Sequence, residues 1–319
     1  MWLVGDAPAP NPYPPLVCPR CRALVTVSVA SASCEGCGEQ YRLEGGVLHL
    51  VGGRAGAPGF DPHYFSTLRE VEERHFWFRA RRRVILDTLR RTLPDLPNRA
   101  LFDIGCGSGG LLAYLGESGV RLAGACDAYL ESLQMVRSRV KAPLVLVDEG
   151  RLPPLGPGQS LLGLFDVLEH LDDDVETLRF LCSVLEPGGA LVITVPAHPF
   201  LFDEMDVLAH HRRRYRLPEL RDKLEHSGFE VRALFHFMAP LVPLLILGRT
   251  LGRLSGRDKA RAAGRRAVEL SVIPGLNGAL AMLLAVERRG LALGWSLSFG
   301  SSILAVAVRS GVGERPQGP

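Results

Sequence analysis

The stretch Leu101-Phe102-Asp103-Ile104-Gly105-Cys106-Gly107-Ser108-Gly109-Gly110 constrains the fold of this chain more than any other. An apolar run passes into a glycine-rich turn and then into an apolar-periodic segment, which reads as strand, turn and helix. Glycine lets the backbone adopt positive φ and lets a ligand approach closely. In open α/β sheets such a turn lies at the carboxyl end of a strand, where ligands bind. Gly105-x-Gly107-x-x-Gly110 also satisfies the dinucleotide pattern, so a nicotinamide enzyme is one reading of the turn taken alone. Asp103, two residues before the first glycine, adds a carboxylate to the same place.

The residues after Ala100 alternate in character. Strands are predicted over 100–104, 121–126, 143–147, 160–165 and 190–196, with helices near 109–118, 129–140 and 172–185. Strands and helices alternating at these lengths predict a doubly wound parallel α/β sheet. A helix over 218–227, a strand over 229–235, apolar and basic helical segments over 236–290 and a strand over 301–308 complete this region. Upstream, Asp61 and Pro62 suit the start of a long amphipathic helix reaching to about 93. The segment Val51–Gly59 reads as a linker, residues 1–17 are proline-rich and irregular, and the tail from Ser310 is polar. The expected domains are therefore 1–51 and 60–319, the second carrying an apolar and basic insertion at about 236–290.

Acids recur where the predicted strands end. Asp127 with Ala128 follows the second strand, Asp148 with Glu149 the third, and Asp166 the fourth. A carboxylate after the second strand offers two acceptor oxygens for paired ribose hydroxyls. With Asp103, Gly105, Cys106, Gly107 and Gly109 these residues form the candidate nucleotide site.

Asp103 followed by G-x-G-x-G resembles the first motif of class I S-adenosylmethionine (SAM)-dependent methyltransferases. Asp166-Val167-Leu168-Glu169-His170-Leu171, then Glu186-Pro187-Gly188-Gly189 and an apolar strand, is similar to the ubiquinone and menaquinone-type methyltransferase group. The resemblance spans roughly residues 60–309. It continues through Val195-Pro196-Ala197-His198-Pro199 to Asp206, His211, Arg213, Arg214 and Tyr215, which resemble the D-x4-H-x-R-R-Y stretch of a bacterial subgroup. It implies a Rossmann-like seven-stranded sheet, SAM as cofactor, and an acid meeting the adenine amino group, here Asp148, with Glu149 contributing backbone or side chain. It also implies a lid carrying Glu72, His75, Phe76, Trp77, Phe78 and Arg79, with a cation for the methionine carboxylate. Two positions depart from the pattern: Gln159-Ser160 stands where those relatives have Phe-Asp, and Met205 where they often have histidine.

Cys18-x-x-Cys21 and Cys34-x-x-Cys37, separated by twelve residues, have the spacing of a closed four-thiolate structural Zn2+ site. Four cysteine ligands leave no open position for catalysis. The segment through Tyr41–Leu48 resembles small zinc-ribbon modules attached to, or partnering, RNA and protein methyltransferases.

Methyl transfer from a sulfonium is an in-line displacement, and a hydroxyl acceptor needs a base near neutral pH. His170 and His211, after the predicted strands, are the candidate bases, with His198 nearby. Arg213, Arg214 and Tyr215 are read as binding an anionic group of the substrate or fixing the loop. Residues 233–248 are apolar but too short and proline-broken for a membrane span. They precede Arg249, Arg253, Arg257, Lys259, Arg261, Arg265 and Arg266, a pairing suited to peripheral membrane contact through 233–266. The net charge of +3 carries no global nucleic-acid signature, and no signal peptide is read in a start where Met1–Val4 gives way to Asp6 and prolines. The expectation is a cytoplasmic enzyme that methylates a small or lipid-like metabolite, with residues 233–266 serving either as cover for the acceptor pocket or as a peripheral contact at the inner membrane face. An RNA methyltransferase using the ribbon, and a non-catalytic SAM-fold subunit, are the alternatives.

Overall fold

The computed structural model describes residues 13–28, 31–51, 68–151, 153–247, 272–295 and 297–311. The proline-rich start, nearly all of the 51–59 linker, residues 61–67 of the expected long helix, the arginine-rich run after 248 and most of the tail lie outside them.

The core is an open parallel sheet. Its strands are β5 (Ala100–Ile104), β6 (Arg121–Asp127), β7 (Leu144–Val147), β8 (Gln159–Phe165) and β9 (Leu185–Pro196). Around them run α1 (Phe76–Thr92), α2 (Gly110–Glu117), α3 (Leu130–Arg137), α4 (Asp174–Val184), α5 (Glu204–Leu208), α6 (Leu217–His226) and α7 (Pro274–Ala292). The last two strands, β10 (Phe229–Phe237) and β11 (Ser302–Arg309), break the parallel rule: β11 runs antiparallel to β9, and β10 antiparallel to β11. Four short N-terminal strands, β1 (Val25–Val27), β2 (Ala32–Cys34), β3 (Gln40–Glu44) and β4 (Val47–Leu50), extend the same sheet. The order is β1-β2-β3-β4-β7-β6-β5-β8-β9-β11-β10. The expected Rossmann-like seven-stranded sheet is therefore present, joined edge to edge to the N-terminal hairpins.

Parallel strands must be covered on both faces, and their near-continuous apolar sequences show it. Alternate residues of β5, Leu101 and Phe102, enter opposite core layers. One layer packs α1, α2, α3 and α7, through side chains such as Ile85, Leu112, Leu133 and Leu284. The other packs α4 and α6 through Leu178, Leu181, Leu220 and Leu224. On that second face the β7-to-β8 connection carries no helix among the described residues. The N-terminal segment fills the gap. Leu16 bridges Leu155, Val17 N donates to Pro154 O at 2.9 Å, and Gly156 N donates to Pro15 O at 2.9 Å. Gln159, one of the two departures at the start of the fourth strand, is buried and donates to Pro15 O at 3.2 Å.

The long helix expected to reach residue 93 is interrupted. Helical backbone at 68–72 turns at 73–74, and α1 starts afresh behind His75, whose Nδ1 accepts from Trp77 N at 3.3 Å. A histidine side chain acting as cap gave no glycine or proline signal from which to place the break. Asp173, one residue after the expected start, caps α4 by accepting from Glu176 N at 2.8 Å.

Candidate functional site

The order reverses beside β5, which pairs with both β6 and β8 in parallel. The loops leaving β5 and β8 diverge there and open a cleft of about 1400 Å3 at the carboxyl edge of the sheet. The two loops touch at their base, where a Cβ at Gly105 would meet Val167 Cγ2 at 2.5 Å. Gly107, at φ +53, has open space where a Cβ would stand, and its backbone lines the cleft. Gly109 caps α2 and packs against Val136, so it shapes the turn and does not belong to the cleft wall.

Asp127 ends β6 beneath that turn. Its Oδ2 accepts from Gly107 N at 2.8 Å and its Oδ1 from Tyr129 N at 3.0 Å. The Ser132 side chain and the Ala128 N–H also act on this carboxylate, against the burial that raises it. Asp103 is buried, and its Oδ1 has no hydrogen-bond partner. Burial pushes the Asp103 carboxyl up to about 7, against the pull of Arg81 and with a further push from Asp127. Cys106, Ala128, Asp148 and Glu149 all reach the cleft wall, and Glu149 accepts from Tyr129 Oη at 2.8 Å. A buried carboxylate oxygen without a donor, a glycine turn open toward the cleft and an acid after β6 together fit an adenosyl ligand with a cationic end.

A lid closes one side. Glu72 is buried, ion-paired with Arg139 at 2.9 Å and hydrogen-bonded by Ser108 Oγ, which anchors it to the glycine turn. The cations of this helix that line the cleft are Arg81 and Arg82, not Arg79 of the expected motif, and Arg81 reaches the strand ends. It bonds Asp166 Oδ2 at 2.7 Å and Thr194 Oγ1 at 2.8 Å, and lies over Trp77 and Phe165. Asp166, at φ +57, also accepts from Thr194 Oγ1 at 3.0 Å, so its carboxylate is committed to this network. Sequence spacing missed Arg81 because a basic run on a helix ordinarily reads as a solvated face.

The opposite wall carries the histidines. His211 Nδ1 lies 2.9 Å from Asp206 Oδ1, and its Nε2 lies 3.9 Å from Glu169 Oε1. Burial raises the Asp206 carboxyl, but the His211 hydrogen bond and the Arg214 guanidinium outweigh it and hold it below the usual range. An ionised carboxylate only accepts, so Nδ1 donates to it and Nε2 is the ring nitrogen turned toward Glu169. His170 meets the His211 ring edge-on at 4.9 Å between centroids. Burial and the neighbouring His211 push His170 down to about 4. Glu169 is fully buried, and neither of its side-chain oxygens has a hydrogen-bond partner. Its carboxyl is raised by burial and by Asp166, with Arg81 and Arg214 opposing.

Of the remaining candidates, Arg213 and Tyr215 hold the loop and reach no ligand space. Tyr215 is buried and donates to Asp174 Oδ2 at 2.9 Å, while Arg213 pairs with Asp174 at 3.2 Å. His198 stacks on His236 at 4.9 Å, outside the cleft wall.

The four cysteines converge away from the cleft. Cys18 and Cys37 Sγ are 3.8 Å apart and Cys21 and Cys34 Sγ 3.3 Å, with all four sulfurs within 4.8 Å of one another. Sulfurs on a tetrahedral Zn2+ lie about 3.8 Å apart, given Zn–S bonds near 2.3 Å. The donor set and spacing therefore fit that ion.

Residues 77–234 match the family model described as a methyltransferase domain. A Mycolicibacterium smegmatis protein described as "Probable S-adenosylmethionine-dependent methyltransferase" is 28% identical over 170 residues, 52% of this chain and 63% of that protein. A ubiquinone biosynthesis O-methyltransferase of Bordetella bronchiseptica is 28% identical over 110 residues, 33% of this chain and 45% of that protein. This chain thus spans less than two thirds of either curated relative. The Haemonchus contortus phosphoethanolamine N-methyltransferase 2, solved with phosphomonomethylethanolamine and S-adenosylhomocysteine, superposes with a TM-score of 0.50 at 15% identity. That match covers 79% of this chain and 58% of that one, and supports the shared fold.

Proposed function

We propose that this chain, which carries a SAM-dependent methyltransferase domain, moves a methyl group from SAM to a small or lipid-like acceptor held against the His211 wall of its cleft. The observation that carries the reading is the open glycine turn over Asp127 beside Asp103, whose buried Oδ1 has no hydrogen-bond partner, at the switch point of the sheet. When bound, SAM supplies an electrophilic methyl on a sulfonium. Asp127 would hold the ribose hydroxyls, Asp148 or Glu149 the adenine amino group, and Asp103 would face the cationic end.

The chain's own task is to align the acceptor and exclude water, an orientation effect worth at most ~7–11 kcal/mol. His211 is the better base of the two candidates. His170, pushed down to about 4, accepts protons poorly at neutral pH, whereas His211 has a carboxylate behind it.

A lipid-like acceptor is supported by the cleft mouth, where Leu244, Leu245, Ile273, Leu276 and Leu280 contribute apolar wall. Farther along α7, Met282 and Val286 are exposed. No helix of the described residues is long and apolar enough to cross a membrane, so contact with a bilayer would be peripheral. The cysteine cluster would hold structural Zn2+. Incubation with methyl-labelled SAM and a total lipid extract tests the acceptor class. Label in the organic phase supports the lipid-like reading, label in small water-soluble products supports a polar metabolite, and label on added RNA overturns both.

A further inference from the structure

We propose that the 3.9 Å gap between Glu169 Oε1 and His211 Nε2 is the seat of the nucleophilic atom, that this atom is a hydroxyl oxygen, and that Asp206 is the positioning residue behind His211. The inference rests on the methyltransferase reading and goes beyond it, by naming the reacting group and its contacts.

A fully buried carboxyl with two partnerless oxygens, that of Glu169, is a costly thing to keep in a folded protein, and such groups are ordinarily satisfied. Its own backbone N–H acts on the carboxyl, and the ion-pair contact recorded for it among the described residues is His211 Nε2, at a 3.9 Å separation too long for a hydrogen bond. Both atoms belong to residues of the cleft wall. A single oxygen placed at ordinary hydrogen-bond distance can reach both, because about 2.8 Å to each closes a triangle on a base of that length. A hydroxyl matches the pair in kind: its proton goes to Nε2, and its lone pairs can accept from a protonated Glu169.

The charges around the seat favour oxygen over an amine. Arg81 and Arg214 both act on Glu169, and Arg214 Nε lies 2.8 Å from Asp206 Oδ1. Guanidiniums acting on the seat disfavour an ammonium and stabilise an oxygen that gains negative charge, and each is itself paired with a carboxylate. Asp166 is tied to Arg81, and Asp206 to His211 and Arg214.

The step balances without a further reagent. The hydroxyl proton passes to His211 Nε2. The oxygen lone pair forms the new O–C bond while the S–C bond breaks onto sulfur, leaving a neutral thioether. The resulting imidazolium is stabilised by Asp206 at 2.9 Å, the carboxylate-histidine logic of acyl-transfer triads applied to an alkylation. Asp206 is suited to hold its place. Its Oδ2 accepts from Asp203 N at 2.9 Å, so the same carboxylate caps α5 and fixes the loop that carries His211.

The test uses the full chain loaded with S-adenosylhomocysteine and 4-nitrophenol as the probe, whose phenolate absorbance reports proton loss. Calorimetry with S-adenosylhomocysteine first verifies the cofactor site, and absence of that binding would overturn the methyltransferase reading itself. With the site loaded, the expected result is a phenolate fraction several-fold above that of free probe at the same pH. His211→Gln should return it to the free value, and Glu169→Gln should weaken probe binding. Neither should change S-adenosylhomocysteine affinity. Asp206→Asn should remove most of the ionisation. Because Asp206 also caps α5, the imidazole 15N shifts of the unsubstituted protein carry the positioning claim if that variant fails to fold. They should show His211 protonated at Nδ1 and bare at Nε2. Three results would overturn the proposal: a loaded protein that neither binds nor ionises the probe, equal phenolate fractions in the parent and His211→Gln, or a proton resident on Nε2.

Discussion

At the scale of single residues, cofactor affinity turns on two buried acids with different partners. Asp127 has both oxygens engaged by the turn. Hydrogen bonds to a charged group are worth ~1.5–3 kcal/mol each, so Asp127→Ala should weaken SAM binding by at least about tenfold, read by calorimetry. Asp103, pushed up to about 7, still holds a proton in part of the ligand-free population at neutral pH. A cationic ligand favours the ionised form, so binding should release protons and affinity should fall as pH drops below 7. Titration in buffers of different ionisation enthalpy would show this release, and Asp103→Asn should abolish it. Both acids were legible in the sequence because strand ends advertise them. Glu169 sat in a quoted motif but gave no sign of its isolation. The roles of Arg213 and Tyr215 were hidden too, since only the fold reveals that Asp174 claims them.

At the scale of elements, the N-terminal hairpins are part of the sheet that holds the site. β4 pairs in parallel with β7 from Val47↔Leu144 to Leu50↔Val147, and β7 leads into Asp148. Removing metal from the cysteine cluster should therefore loosen β1–β4 and weaken SAM binding several-fold. Chelation followed by calorimetry checks this, with retention of full affinity as the contrary outcome. The cysteine spacing made the cluster readable. The β4–β7 pairing was not readable, because it joins segments nearly a hundred residues apart with no local signal. Elsewhere, Asp174 ties the first turn of α4 to Tyr215, Lys223 and Arg213. Burial raises its carboxyl, but the bonds from Lys223 and Tyr215 prevail and hold it below the usual range. A depressed folded value means that its stabilisation is present above the unfolded value near 4 and is lost as pH falls through the lower folded one. Asp174→Asn should lower stability by ~3 kcal/mol at neutral pH, with the difference closing in acid, as followed by denaturant unfolding.

At the scale of the whole molecule, alternation of apolar runs and amphipathic helices was enough to predict the doubly wound sheet, because parallel strands buried on both faces must read that way. The antiparallel β10 and β11 carry the same apolar composition, so their direction had to come from the structure. The apolar rim of the cleft, with exposed Met282 and Val286 on α7, also gives a prediction for the molecule as a body. The chain should sediment with anionic vesicles, less so in high salt, and substituting Met282 and Val286 by serine should reduce sedimentation without changing SAM affinity. Equal sedimentation of parent and variant would remove α7 from the contact.

The central claim is that the cleft over Asp103, Gly107 and Asp127 binds SAM. Calorimetric titration of the full chain with SAM, with NAD as control, tests it most directly. Saturable SAM binding is expected, lost or sharply weakened in Asp127→Ala, with no comparable heat from NAD. A folded protein that binds NAD, or neither ligand, would contradict it.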